Sequence, residues 1–235
     1  MPSWTGPSRR SAPPRFNLDR VIRFVTGTDT GVGKTAASAA LALAERAAGR
    51  KVAYFKPVQT GLAPGEPGDS AFVAATGIAA SEGVRLAEPL APAVAAERAG
   101  TAIDVDALVA RASALAAGVD VLLVEGAGGL LVPVAGELTM ADLAARLGAE
   151  VVIVTRPALG TLNHTALTLE AARFRGLPVA GLVVCGWPSE PGVVERTNLE
   201  RLAAMAPVLG IVPYVDGLDT SRAGGSPEPA FISCA

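Results

Sequence analysis

Lys34 and Thr35 in "VTGTDTGVGKT", Lys56 in "YFKPVQTG" and Glu125 in "VLLVEGAGG" are the residues best suited to handling a phosphoryl group. The first stretch sits between a short apolar run and a helical pattern. Its glycines Gly27, Gly31 and Gly33 let a backbone turn its N–H groups inward. Such a turn at the head of a helix grips phosphate, because free N–H groups and the helix dipole both point at the anion. The strict pattern is G-x-x-x-x-G-K-[ST]. Here Thr28 stands where the first glycine belongs and Gly27 falls one place early, but the physical requirements survive. Lys34 reaches the β- and γ-phosphates, and the Thr35 hydroxyl is suited to Mg²⁺.

Glu125 closes an apolar run, at the carboxyl end of a strand where ligands of open parallel sheets bind. A carboxylate there completes a Mg²⁺ shell or binds a substrate amine; capping a neighbouring helix is the alternative. Asp69 follows Pro67-Gly68 and reads equally as a metal ligand or an N-cap. Lys56 precedes Pro57 and is expected at the end of its strand, facing the same sheet edge as Lys34 and Glu125. A second cation there neutralises charge on a transferring phosphoryl group. Thr60 is a nearby hydroxyl with no signal of its own. His164, the one histidine, lies in "GTLNHTALT" at a helix start and reads as a capping or packing residue. The N–H groups of Thr161 and Leu162, with the Asn163 side chain, form a better site for a carboxylate.

The elements that must position these groups alternate along the chain. Strands are expected at "VIRFVT", "KVAYFKPV" (closed by Pro57), "VDVLLVE", "AEVVIVT", "LPVAGLVVC" and "VLGIVPY". Helices are expected from Lys34 to Ala48, Ser70 to Ala75, Val105 to Ala116, over "TMADLAARLG" with Thr139 as N-cap, over "TLNHTALTLEAARFRG", and from Glu195 to Met205. Prolines in "LAEPLAPAVAAERAG" forbid a regular element in its first half. The alternation predicts an α/β fold, a doubly wound, mostly parallel sheet of the P-loop NTPase type in a single domain. Its strands are continuous Val/Ile/Leu runs, as expected when helices cover both faces. The domain is expected over residues 21–215, with a disordered extension at 1–20 and a loose tail at 216–235.

Composition narrows the function classes. At 235 residues and 50% hydrophobic, the chain can bury one full core, built with few aromatics (4%). A net charge of −2 offers no basic field for nucleic acid or anionic lipid. No apolar run reaches the ~18 residues of a membrane span, and the N-terminus has no secretory h-region. Cys185 and Cys234 show neither zinc nor disulfide spacing, which fits a cytoplasmic protein.

Together, "VTGTDTGVGKT", "KPVQTG", "VEGAGGLLVPV" and "LGTLNHTALTLEA" resemble the dethiobiotin synthetase family from about Val21 to about Tyr214. The loop alone says only NTPase; the other three elements in this order are far more specific. The resemblance implies a cyclo-ligase that uses ATP and Mg²⁺ to close a cyclic urea from 7,8-diaminononanoate and CO₂, through a carbamate and a carbamic-phosphoric anhydride. It implies that Lys34 and Lys56 stabilise the transferring phosphate and the carbamate, with Thr30 and Thr60 beside the reacting groups. Thr35, Asp69 and Glu125 would surround Mg²⁺. The loop residues Gly27, Thr28, Asp29, Thr30, Gly31, Val32 and Gly33 would wrap the nucleotide, and Cys185, Gly186 and Pro213 would lie near its base. Glu125 and Gly128 would face the substrate. The family is also similar to a homodimer, in which Thr161, Leu162 and Asn163 hold the substrate carboxylate in the partner's site.

Two departures stand out. An asparagine commonly reads adenine where this chain has Cys185, which leaves CTP or another nucleotide as an alternative to ATP. A tyrosine near the substrate tail in some relatives corresponds to Asn198. The rival readings are a partition-type ATPase switch, an amidotransferase of the cobyrinate type and a chain that only binds nucleotide. The switch carries a lysine early in its loop where this chain has Asp29. The amidotransferase needs a reactive cysteine and a further domain. The binding-only reading sits badly with Lys34, Thr35, Lys56 and Glu125 all being present.

Overall fold

The computed structural model describes residues 20–215. The expectations for 1–19 and 216–235 lie outside the described residues. Seven strands form one parallel sheet in the order β3-β2-β4-β1-β7-β8-β9. They are β1 (Val21–Gly27), β2 (Val52–Thr60), β3 (Ala79–Leu86), β4 (Val121–Gly129), β7 (Glu150–Thr155), β8 (Val179–Trp187) and β9 (Val208–Pro213). A small antiparallel pair, β5 (Pro133–Ala135) and β6 (Leu138–Thr139), follows β4. Helices α1 (Lys34–Ala47) and α2 (Asp69–Ala75) cover one face. The other face is covered by α3 (Pro92–Arg98), α4 (Val105–Ala116), α5 (Met140–Arg146), α6 (Thr161–Phe174) and α7 (Val193–Met205).

Because successive strand side chains point to opposite faces, Phe24, Leu122 and Val124 enter one core while Val25, Val121 and Leu123 enter the other. All six are fully buried. Both faces therefore demand apolar residues, and the strands read as unbroken apolar runs.

The observed elements correct the sequence reading at β2, β3 and α3. Strand β2 does not stop at Pro57 but continues to Thr60. Its ladder with β4 ends at Phe55–Val124, so beyond that point one side of β2 is open and a residue without an N–H is tolerated. Gly83 of β3 lies across from Pro57, where a Cβ would collide with the Pro57 carbonyl. Strand β3 itself, "AASEGVRL", was not expected: it is a half-buried edge strand without an apolar run. Helix α3 was not expected either; Pro92 occupies its first turn, where a missing N–H costs nothing. Glu125 and Cys185 also lie inside their strands, not at the ends.

Register places the chemistry. Val25 pairs with Glu125 across β1–β4, and Phe55 pairs with Val124 across β2–β4, so Lys56 comes level with Glu125. The chain leaves β1 for β2 on one side and later adds β7 on the other, so the loop after β1 opens at the sheet's switch point.

Candidate active site

The loop from Thr28 to Gly33 is held by its surroundings. The Thr28 N–H donates to the Val154 carbonyl at 2.9 Å, and the Asp29 carboxylate accepts the Thr30 N–H at 2.7 Å. Gly31 and Gly33 have φ of 68° and 94°, values that disfavour any side chain. At Gly33 space is also lacking, because a Cβ would sit 2.8 Å from Cys185 Cβ. Gly27 is equally confined, with a Cβ 2.7 Å from both the Asp29 carbonyl and Val32. Helix α1 begins at Lys34 with no side-chain cap, leaving its first N–H groups for a ligand.

Behind the loop lies a buried ionic cluster. Glu125, 1% exposed, accepts at one oxygen from Thr35 Oγ1 (3.1 Å) and Lys56 Nζ (2.8 Å). Its other oxygen accepts from Ser38 Oγ (2.9 Å) and the Tyr54 hydroxyl (3.0 Å). Lys56, 4% exposed, also pairs with Asp69 Oδ2 at 2.7 Å. Asp69 is thus the first residue of α2 and an ion-pair partner, not an N-cap. Its N–H is in turn held by Gln59 Oε1 at 3.1 Å.

Protonation follows from this packing. Burial alone would lower the Lys56 pKa, but the carboxylates of Glu125 and Asp69 outweigh it and hold it above the ordinary lysine value. Burial would raise Asp69, and Lys56 overcomes that and keeps it below the usual carboxylate range. Lys34 is different: burial pulls it down to about 8, with Glu125 only partly opposing, and among the described residues its Nζ bonds just the Asp29 carbonyl at 3.2 Å. Burial pushes the Cys185 thiol up to about 12, so it stays protonated. It faces the Gly33 carbonyl.

These groups line a cavity of about 720 Å³. Of the residues singled out from sequence, the cavity collects Thr30, Gly31, Val32, Gly33, Lys34 and Thr35 from the loop. It also collects Lys56, Thr60, Asp69, Glu125, Gly128, Cys185, Gly186 and Pro213. Gly27, Thr28 and Asp29 shape the loop without lining the cavity. Thr161, Leu162 and Asn163 do not line it either; they start α6 away from it, with Thr161 buried and Asn163 exposed. The expectation of a free Thr161 N–H fails, since it donates to the Ala158 carbonyl at 3.2 Å. Among the described residues the N–H groups of Leu162 and Asn163 have no partner. His164 is exposed and outside the cavity. Asn198 is buried and holds the Pro157 and Ala158 carbonyls at 2.8 and 3.3 Å.

The sequence reading missed Ser38, Tyr54, Gln59, Arg156 and Glu195. Two signals were present: Tyr54 lies two before Lys56 on one strand face, and Ser38 lies three after Thr35 on one helix face. Arg156 and Glu195 line the cavity from separate segments that no local pattern connects.

The Asp69 and Glu125 carboxylates meet at the Lys56 ammonium and the Thr35 hydroxyl donates to Glu125, which makes an all-oxygen set. That chemistry suits a hard divalent ion of the Mg²⁺ type, which takes one or two carboxylates and completes its shell with phosphate and water. Among the described residues no group of three or more His, Cys, Asp or Glu gathers to hold a metal, and no helix is long and apolar enough to cross a membrane.

A family profile described as an AAA domain matches residues 23–222. The chain is 50% identical over 199 residues to the ATP-dependent dethiobiotin synthetase of Mycobacterium sp. (strain KMS), covering 82% of this chain and 87% of the relative. It is 51% identical over 200 residues to that of Frankia casuarinae, covering 83% and 84%. With the synthetase of Rhodococcus jostii it shares 49% over 211 residues, 87% of this chain and 91% of the relative. Among solved structures it is similar to the MinC:MinD cell division complex of Aquifex aeolicus, with a TM-score of 0.54 at 16% identity over 87% and 86% of the two chains. A ParA-family ATPase of Chlorobium tepidum gives 0.53 at 14% identity over 84% and 85%. At such identities these two likenesses speak for the P-loop fold alone.

Proposed function

We infer the chemistry from one premise: the chain belongs to the ATP-dependent dethiobiotin synthetase family, and its function is dethiobiotin synthesis with ATP as co-substrate. The observation that carries the mechanistic reading is the meeting of Lys34, Thr35, Lys56 and Glu125, from three separated motifs, in one cavity. In this reading one amine of 7,8-diaminononanoate captures CO₂ as a carbamate. A carbamate oxygen then attacks the γ-phosphorus and ADP leaves. The second amine attacks the carbamoyl carbon, the C–O bond to phosphate breaks, and the amine proton departs with the closing of the cyclic urea.

The protein's part is positioning and charge. Free N–H groups at the start of α1 and the Lys34 ammonium hold the phosphates. Lys56 is fixed by Asp69 and Glu125 at 2.7 and 2.8 Å, so its ammonium stays charged and in place beside the reacting oxygens. Thr30 and Thr60 offer hydroxyls on the substrate side of the cavity, with Gly128 leaving room. Thr35, Asp69 and Glu125 would hold Mg²⁺, which supplies charge neutralisation on the β- and γ-phosphates.

The second half of the reading is a homodimer. Leu159 is 91% exposed two residues before α6, and the uncapped first turn of that helix carries the exposed Asn163. An apolar residue beside an anion-binding turn supports a face that meets another copy and receives the substrate carboxylate from the partner's cavity. The test is phosphate release by the purified chain with Mg-ATP and bicarbonate, with and without 7,8-diaminononanoate. Release that requires the diamine, with a cyclic urea detected by mass, is the expected result. Release that ignores the diamine would sink the reading.

A further inference from the structure

Charge in the cavity is unevenly spoken for. It is lined by three cations, Lys34, Lys56 and Arg156, and three carboxylates, Asp69, Glu125 and Glu195. Lys56 is engaged by two carboxylates at once. Among the described residues, Lys34 and Arg156 pair with none. A nucleoside triphosphate brings several negative charges to this space, and a single lysine paired with no carboxylate is a thin complement to them.

Arg156 is placed to serve. It follows β7, the strand beside β1, at the sheet's ligand-binding end. Its Nη2 donates to the Thr30 carbonyl at 3.2 Å and the Gly31 carbonyl at 3.0 Å. In a loop whose N–H groups face a phosphate, carbonyls turn outward, and two of them are collected here by one guanidinium nitrogen. The Nη1 and Nε groups have no partner among the described residues. The segment behind Arg156 is fixed as well, because Asn198 holds the Pro157 and Ala158 carbonyls.

We propose that Arg156 is a cation for the terminal phosphate of the bound nucleotide, fixing the loop at Thr30–Gly31 and turning its remaining N–H groups to the transferring phosphoryl group. This rests on the nucleotide-binding reading of the same cavity. A planar guanidinium with several donors suits a phosphate that spreads charge over its oxygens. Since the residue is exposed, solvent tempers its contribution to binding. Its larger effect falls on turnover, as charge builds in the transition state.

Calorimetric titration of Arg156→Ala with ADP and with a non-hydrolysable β,γ-imido analogue of ATP, both with Mg²⁺, separates the possibilities. The expected result is an affinity for the analogue about tenfold lower, ADP affinity within about twofold of the parent, and turnover reduced about 10²-fold. Arg156→Lys should recover part of the loss, since charge returns without the fork. Equal weakening for ADP and the analogue would overturn the proposal and leave only a loop-bracing role. Unchanged nucleotide affinity with a raised KM for the diamine would overturn it too, moving Arg156 to the substrate carboxylate. If the parent chain bound neither nucleotide, the nucleotide-binding reading itself would fall and the proposal with it.

Discussion

Helices α1 and α6 start the same way. Each follows a glycine with φ near 94°, Gly33 or Gly160, each has a threonine buried in its first turn, and neither has a side-chain cap. Their surroundings then diverge. The first turn of α1 packs directly on the cluster of Lys56, Asp69 and Glu125, with Thr35 donating to Glu125, and the helix is buried from Lys34 through Ala42. The first turn of α6 opens to the outside, between the exposed Leu159 and the exposed Asn163. The shared device is a helix start with free N–H groups, ready for an anion. What differs is what is assembled beside them: a cluster of buried charges at α1, and at α6 no such cluster among the described residues.

If α1 carries catalysis and α6 carries only recognition, substitutions at equivalent places should damage different constants. Lys34→Ala removes an ammonium aimed at the phosphates, and turnover should fall by about 10³-fold in steady-state assays. Asn163→Ala should leave kcat and the KM for ATP within about twofold while raising the KM for the diamine by about tenfold, near the worth of one charge-assisted hydrogen bond. A KM for ATP that rose with Asn163→Ala would break the division of labour.

The two glycines sharpen it further. Gly33→Ala meets strain at positive φ and a contact of 2.8 Å with Cys185 Cβ. Nucleotide binding should drop by about 10²-fold as the loop shifts, near 3 kcal/mol. Gly160→Ala meets the same φ, but its nearest neighbour is His164 Cε1 at 3.8 Å. It should cost about 1–2 kcal/mol in denaturant unfolding and leave nucleotide affinity alone. Equal loss of nucleotide affinity in both variants would show that the two turns are not independent.

Much of this was legible in the sequence, and the physical reason is locality. The phosphate loop, the Thr139 cap and the continuous apolar strands depend on neighbours in the chain, so residue types report them directly. What stayed hidden depends on neighbours across the sheet. β3 pairs at an edge without an apolar run, and β2 survives Pro57 because β4 no longer pairs beside it. Glu125 was recognised, but its partners Ser38 and Tyr54 come from two other elements. Arg156 reaches the loop across 125 residues of chain. Even the α6 turn was only half read, since the Thr161 N–H is satisfied by Ala158.

The charge state of Lys34 gives the start of α1 a pH signature of its own. Its pKa is lowered from 10.5 to about 8, chiefly by burial. Between pH 8 and 10.5 the unfolded chain binds more protons at this site than the folded one, so its contribution to stability grows as pH rises through that window. Nucleotide binding runs the opposite way, because phosphate requires the ammonium. Affinity for ADP should be flat below pH 8 and fall by up to about tenfold per unit above it, until the pKa of the bound form is reached. Titration calorimetry at pH 7, 8 and 9 with proton-uptake correction tests this. Affinity that stayed level to pH 9 would mean that Lys34 is already charged there without a ligand.

The smallest expected effect tests whether the capped start of α5 is scaffold and not part of the site. Helix α5 begins with a full capping box: Thr139 accepts from the Asp142 N–H while Asp142 accepts from the Thr139 N–H at 2.7 Å. Its end N–H groups are already used, so no anion is invited, although the helix follows the glycine-rich segment after Glu125. Thr139→Ala should therefore cost about 1 kcal/mol in unfolding free energy and leave kcat and both KM values within about twofold. The Asp142 carboxylate, kept below its usual pKa partly by Thr139 and Arg175 despite some burial cost, retains Arg175 at 2.8 Å, which limits the loss. A change in turnover larger than the change in stability would mean that α5 steers the Gly126–Gly129 segment, and that a capped helix start takes part in the site after all.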